Sequence, residues 1–400
     1  MDNEAFIHEH LRDDVRLLLL RRAPEGVDLP WCAQQIEGYR TAQRKLPHWA
    51  ATEGIHYPPR LSMEQCSSWE TAQYKRQLLE SRLTPDDRIR LVDMTGGLAV
   101  DFSAMAPLFH ESIYIERLPH LCDLAAHNLP LLGLPRAEVV NTACPDAALW
   151  QRTDTVLFLD PARRDATGQK TVALADCTPN ILELQPLWQK CKLIVIKLSP
   201  MLDIASTLRQ VEGVSEVHAI SVRGECKELL LIIAPGYASM ARRIAANLST
   251  DKKGHVQTAC FSKTEGGTPQ LAESVLPGGC LLFEPGASLL KTQLQDAFAQ
   301  ENGLAKVHPM SNLFITQEET LVQTLQAHGR IMRLVRQMDF SKKSLRGLRG
   351  MKQANLTLRN FPGTVDALRR QLKLKEGGPD YLFATTMADN SHALLHCHRI

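Results

Sequence analysis

Between residues 88 and 235, short β-branched apolar runs alternate with stretches of helical periodicity. This alternation restricts the fold more than anything else in the sequence. RIRLVDM precedes a helix from about residue 98, SIYIE precedes PHLCDLAAHNL, and AEVVNT precedes PDAALW. TVLFLD and KLIVIKLS follow, the second leading into MLDIASTLRQV. Strands separated by helices pair in parallel, because each crossover returns the chain to the same end of the sheet. The pattern then breaks. VSEVHAISV and KELLLIIAP have only a few residues around RGE between them. That gap is too short for a crossover, so the two must form an antiparallel hairpin. Five alternating units and a terminal hairpin give a seven-stranded sheet with one reversed strand.

The flanking sequence differs in texture. Residues 1–85 read as a helical region, with Leu11, Val15, Leu18 and Leu19 at helical spacing. SSWETAQYKRQLLESRL is a second helix, capped by Ser67 or Ser68 with Glu70 in its first turn. The α/β domain is expected over 86–236. Residues 237–330 begin with a polar, Gly-rich linker and continue as a small strand–helix–strand piece around GGCLLFEPGASLLKTQL. Residues 331–400 add strand-like ANLTLRNF, helical TVDALRRQLKL and strand-like YLFATT.

Charge is unevenly placed along these regions. Residues 331–400 carry 13 Lys/Arg against 5 Asp/Glu, a surplus of 8. The net charge is +2, so the remainder carries −6. A basic tail on a mildly acidic body points to a polyanion such as nucleic acid, the alternative being a solvated basic surface. The apolar runs near Leu17–Leu20 and at 192–198 are far shorter than the roughly 20 residues of a membrane span. The acidic start MDNEAFIHEHLRDD is unlike a signal peptide. Ten cysteines are scattered without a CxxC pair, which fits reduced thiols in the cytoplasm and neither a disulfide framework nor a zinc site.

Four motifs carry candidate chemistry. In LVDMTGGLAVDF, a buried strand ends at Asp93, and Gly96–Gly97 open a helix whose N-terminus can receive an anion. The next strand ends at Glu116, about 20 residues beyond the glycine turn, where an acid grips ribose hydroxyls in nucleotide-binding folds. TVLFL ends in FLDPARRD, placing Asp160, Pro161, Arg163 and Arg164 outside a strand end. The two guanidiniums can stack on a base or hold a phosphate; otherwise they pair with Asp165 or Glu116. In IKLSPMLD the Lys197 ammonium ends a buried strand and needs a partner, Asp160 or Asp203. Cys226 reads as a structural thiol. EQCSSWETAQYKR is either a lid over a ligand or a helix packed on the sheet edge. HALLHCHRI tempts a metal reading, but no carboxylate lies at suitable sequence spacing, so no metal is expected.

Together, the strand order and these positions resemble class I S-adenosylmethionine-dependent methyltransferases over residues 88–235. EQCSSWETAQYK, DMTGGLAVDF, LDPARRD, IKLSPMLDI, RGECKELLL and ANLTLRNFPGTVDALRRQLKLKEGG resemble, as a set, a bacterial family. Its members join an N-terminal helical region, a class I methyltransferase, a ferredoxin-like segment and a C-terminal THUMP-like domain. The fold class implied is α/β: a Rossmann-like seven-stranded class I methyltransferase sheet, an N-terminal helical region and a small α+β C-terminal region. The resemblance further implies S-adenosyl-L-methionine as cofactor. Asp93, Gly96 and Gly97 would line its methionine end, Glu116 its ribose, and Thr142 in the segment 141–144 its adenine, with Thr95 and Asp160 also among the cofactor contacts. Amino-group methyltransferases carry Asn/Asp-Pro-Pro-aromatic where this chain has Asp160-Pro161-Ala162-Arg163. By that likeness Asp160 and Pro161 orient a base nitrogen of tRNA or rRNA, and Arg163, Arg164 and Lys197 bind the nucleotide. THUMP domains bind RNA, and Arg359, Arg369 and Arg370 are the candidate phosphate contacts. Two rival expectations remain: a small-molecule or protein methyltransferase with a structural tail, and a non-catalytic RNA-binding protein with a degenerate pocket.

Overall fold

A computed structural model describes residues 2–400, apart from Cys144, residues 163–173, Leu187, Lys252 and Arg349, with backbone alone for Lys342, Lys343 and Arg346. The chain divides into two compact units. The first comprises Met1–Val217, Glu228–Ala241 and Leu248–Thr258; the second comprises His218–Lys227, Arg242–Asn247 and Ala259–Ile400.

The alternation in the sequence appears as β1 (Arg90–Asp93), β2 (Glu111–Glu116), β3 (Glu138–Asn141), β4 (Thr155–Leu159) and β5 (Leu193–Leu198). These five strands pair in parallel in the order β3-β2-β1-β4-β5. Every residue of β4 is buried, as expected of a strand covered on both faces. The expected hairpin follows as β6 (Val214–Val222) and β7 (Glu225–Ile233). Arg223 and Gly224 both take positive φ in its two-residue turn, which suits the right-handed twist of the strands. β7 lies antiparallel against β5, so the order continues β5-β7-β6 with β7 reversed. Strand order reverses between β1 and β4, and their C-terminal ends frame the crevice of a doubly wound sheet.

The sheet is larger than expected. It has nine strands, because β8 (Arg242–Thr250) and β9 (Val256–Lys263) follow β6. Both fall in the stretch read above as linker. Their buried positions are few and partly alanine (Ile244, Ala245, Ala246, Leu248, Phe261), and alanine gives little strand signal.

Before the sheet, the helices Leu29–Lys45 and Trp69–Arg82 are the longest of the N-terminal region. Ser68 caps the second, its side chain accepting from Thr71 N. Ala42, Trp49, Met63 and Ala72 form a core with Val100 and Ala104 of the helix that follows β1.

The second unit is built on a seven-stranded sheet. Its strands are β10 (Leu281–Pro285), β11 (Ala305–Lys306), β12 (Phe314–Thr316), β13 (Gly329–Asp339), β14 (Asn355–Arg359), β15 (Asp380–Thr386) and β16 (His392–Arg399). They run in the order β11-β12-β10-β13-β16-β15-β14. β14 and β15 are parallel, and the helix Val365–Leu372 makes the crossover between them. Among the described residues, no helix is long and apolar enough to cross a membrane.

Candidate active site

The glycine turn begins where β1 ends. Asp93 is buried, and its Oδ1 accepts from Thr95 N at 2.9 Å and Thr95 Oγ1 at 3.3 Å. Burial pushes the Asp93 carboxyl up to about 8, and Asp101 and Asp160 add to the rise. Asp93 therefore shapes the turn from beneath as a largely neutral acid. Gly96 donates to Ile115 O at 2.9 Å, and a Cβ there would lie 2.1 Å from the Tyr114 ring. Gly97 has φ +53°, while Ala99 adopts φ 60°, a left-handed conformation that alanine takes only at some cost.

At the end of β2, Glu116 accepts from Gly97 N at 3.0 Å and Leu118 N at 2.9 Å. Thr142 donates its backbone N–H to Glu116 O, which joins the segment after β3 to the same corner. Asp146, the acid nearest that segment, caps the helix Ala147–Trp150.

Across the crevice, Asp160 N–H donates to Thr95 Oγ1 at 2.6 Å, tying the end of β4 to the glycine turn. The Asp160 side chain is 40% exposed, and its Oδ2 lies 2.5 Å from Lys197 Nζ. Pro161 is buried, and Ala162 exchanges two 2.9 Å backbone hydrogen bonds with Thr178. Arg163 and Arg164 lie outside the described residues.

Lys197 belongs to a larger ionic cluster. Its ammonium also reaches Ser67 Oγ at 2.9 Å and Asp101 Oδ2 at 3.5 Å. Ser67 donates to Asp101 Oδ2 at 2.6 Å. Lys75 is fully buried and bridges Asp101 at 3.0 Å and Glu228 at 2.5 Å. Burial alone would lower the Lys197 pKa, but Asp160, Asp101 and Glu228 raise it instead. Burial opposes ionisation of Asp101 too, yet Lys75 and Lys197 hold it down at about 2. A buried charge without partners is strongly destabilising, so each member of the cluster depends on the others.

The structure thus brings Asp93, Thr95, Gly96, Gly97, Glu116, Thr142, Asp160, Pro161 and Lys197 to one end of one sheet. It pairs Lys197 with Asp160, while Asp203 instead caps the helix Ile204–Gln210. Ser67, Lys75, Asp101 and Glu228 are additions that sequence reasoning misses. One signal exists: Lys75 falls on the helical stripe Thr71, Ala72, Leu78, Leu79, all buried. A lysine on an apolar stripe needs a carboxylate partner.

The candidate RNA contacts lie in the other unit. Arg359 is drawn to the buried Glu284, its Nε donating to Oε1 at 2.7 Å. Arg369 is only 19% exposed and 3.9 Å from Glu376. Arg370, Lys373 and Lys375 are exposed, on and just after the helix Val365–Leu372. These three, more than Arg359 and Arg369, are free to meet a phosphate.

The geometry of the turn suits the cofactor implied by the sequence. Among the described residues, an added Cβ at Gly97 would meet nothing nearer than Thr95 O at 3.7 Å. An ionised carboxylate has about four acceptor positions, and Glu116 uses two on backbone amides, leaving two for ribose hydroxyls.

Residues 329–399 match the THUMP domain-like family. A solved structure named "putative methyltransferase from Porphyromonas gingivalis W83" is 29% identical, with a TM-score of 0.82 over 99% of this chain and 97% of that one. The tRNA (m1A58) methyltransferase TrmI from Aquifex aeolicus is 12% identical over 44% of this chain and 71% of its own, with a TM-score of 0.31. Precorrin-6y C5,15-methyltransferase from Geobacter metallireducens GS-15 is 15% identical over 43% and 87%, with a TM-score of 0.29. These last two scores are too low to argue from. No curated protein matches the sequence. The full-length likeness, the strand order and the C-terminal match lead to one identification: the chain joins a Rossmann-like class I methyltransferase fold to a THUMP-like domain.

Proposed function

We propose that the chain is an S-adenosylmethionine-dependent methyltransferase acting on a base nitrogen in tRNA or rRNA. One observation carries this reading. The Asp160 carboxylate stands at the switch point, partly exposed, tied to the glycine turn through Thr95 and held by Lys197. Bound at the turn, S-adenosylmethionine supplies an electrophilic methyl group on a good leaving group. The chain's own residues then need only align the acceptor, which can account for most of the rate. Asp160 accepts a hydrogen bond from the target amine and so directs the nitrogen lone pair toward the methyl. Lys197 fixes the orientation of that carboxylate. Pro161 and the Ala162–Thr178 bridge hold the backbone that follows it. Glu116 grips the ribose, and Asp93 with Thr95 holds the turn in shape.

RNA as substrate is supported by the THUMP-like match and the surplus of 8 positive charges over residues 331–400. Exposed Arg370, Lys373 and Lys375 offer phosphate contacts.

Mass spectrometry of nucleosides from cells with and without the gene tests this reading. One methylated nucleoside should disappear from tRNA or rRNA in its absence. Asp160→Ala should fail to restore it while the purified variant still binds S-adenosylmethionine in calorimetry. A fully active Asp160→Ala protein would overturn the role given to Asp160, and an unchanged nucleoside profile would overturn RNA as substrate.

A further inference from the structure

The sheet of the C-terminal unit assembles a group that the linear sequence hides. β16 carries His396 and His398 two residues apart, so their side chains leave one face of the strand. β15 places Asp380 directly opposite His398. The carboxylate missing at suitable spacing along the sequence is thus supplied across the strand pair.

The three groups converge through single atoms. His396 Nε2 lies 2.6 Å from Asp380 Oδ1, and His398 Nε2 lies 3.1 Å from the same oxygen. All three ligating atoms fall within 4.8 Å of one another. Around a tetrahedral ion with bonds of about 2.0–2.1 Å, neighbouring ligand atoms stand roughly 3.3 Å apart. The side chains need only small outward rotations to reach that spacing. The two rings meet edge to face at 5.4 Å, an arrangement in which both nitrogens can face a common point.

The surroundings permit a cation. Arg333 lies opposite His398 on β13, but its guanidinium is engaged by Glu319 at 2.6 and 2.9 Å. Arg336, opposite His396, donates to Gly347 O at 2.9 Å. Exposure rises from 9% at His396 through 23% at Asp380 to 55% at His398, so the group opens to water on one side. Without a metal, His396 Nε2–H donates to Asp380, and His396 Nδ1 has no hydrogen-bond partner among the described residues, so an ion on Nε2 would displace that proton to Nδ1.

We propose that Asp380, His396 and His398 form a binding site for a divalent transition-metal ion of the zinc type, with the remaining coordination position taken by water. Two imidazoles and one carboxylate favour zinc, nickel or copper over magnesium and calcium, which prefer oxygen ligands. The site is independent of the methyltransferase reading.

The experiment uses the untagged full-length chain, stripped with chelator and titrated with Zn²⁺ by calorimetry and with Co²⁺ by visible absorption. One equivalent should bind, Mg²⁺ should give no heat, and Zn²⁺ should raise the melting temperature. His398→Ala and Asp380→Asn should each weaken Zn²⁺ binding at least about tenfold, by analogy with the loss seen when supporting groups are removed. His398 is more than half exposed, so its variant should fold, and its melting curve in chelator checks that. Unchanged affinity in both folded variants overturns the proposal. So does a thiolate charge-transfer band with Co²⁺, which would place the metal on cysteine, or no binding at about 100 μM Zn²⁺, roughly a hundredfold above the micromolar range.

Discussion

Asp93 and Asp101 sit eight residues apart and are pushed in opposite directions. Asp93 has a folded pKa of about 8 against 3.8 for the free side chain, chiefly because it is buried. The fold therefore prefers its protonated form. Its favourable contribution is complete below pH 3.8 and is lost as pH rises toward 8. Asp101 behaves inversely. Its contribution is present above 3.8 and fades as pH falls toward 2. Asp93→Asn keeps an acceptor for Thr95 but cannot ionise. It should flatten the fall in melting temperature between pH 4 and 8, and stabilise the protein at pH 8 by at least about 1 kcal/mol, less than one pK unit's worth. Thermal melts across that range decide the matter, and an unaltered pH profile would show that Asp93 does not titrate as described. At this scale the sequence reveals Asp93, Asp160 and Lys197, because each places a charge at the end of an apolar run. It does not reveal which charges meet. Asp101 and Glu228 acquire their meaning only from Lys75, which lies 26 and 153 positions before them along the chain.

Among the elements, the turn between β1 and its helix is the least tolerant of change. A methyl group at Gly96 would enter the Tyr114 ring at 2.1–2.5 Å, and Tyr114 is itself fully buried. Gly96→Ala should cost about 1–3 kcal/mol or more, as overpacking does. The double variant Gly96→Ala/Tyr114→Leu should cost less than the sum of its parts, since the two positions share one space. Additivity in urea melts would refute that clash. Strands β1, β2, β4 and β5 are legible because buried parallel strands read as apolar runs, and β6 and β7 because too few residues separate them for a crossover. β13 and β16 were harder to see. In GRIMRLVRQMD and HALLHCHR the apolar residues are interrupted by Arg, Gln and His, whose side chains the sheet satisfies in ways that sequence does not show. His396 illustrates this: it is buried in β16, beside a carboxylate sixteen residues earlier.

For the molecule as a whole, the surplus of positive charge in the C-terminal unit sets a measurable expectation. The variant Arg370→Glu/Lys373→Glu/Lys375→Glu of the full chain should bind tRNA or rRNA fragments more weakly. Its dependence of log K on log salt should be shallower by about 2 to 3, given 0.7–0.9 for each phosphate contact. Fluorescence anisotropy at several salt concentrations reads both quantities, and an identical slope would show that these residues contact no phosphate. Charge placement was readable from composition; the choice among the basic residues was not. Arg359 and Arg369 look equivalent to Arg370 in sequence, yet Glu284 holds one and burial withholds the other.

The cluster that joins Ser67 and Lys75 to Asp101, Asp160, Lys197 and Glu228 has a practical consequence for anyone trimming this protein. A boundary at residue 85, natural from the texture of the sequence, would produce a fragment in which three carboxylates share a single ammonium. Such a fragment must take up a proton or rearrange the groups around Asp160 to relieve that imbalance. The first 85 residues are therefore as much a part of this ionic cluster as the sheet itself, and a fragment that keeps the cluster whole begins well before β1.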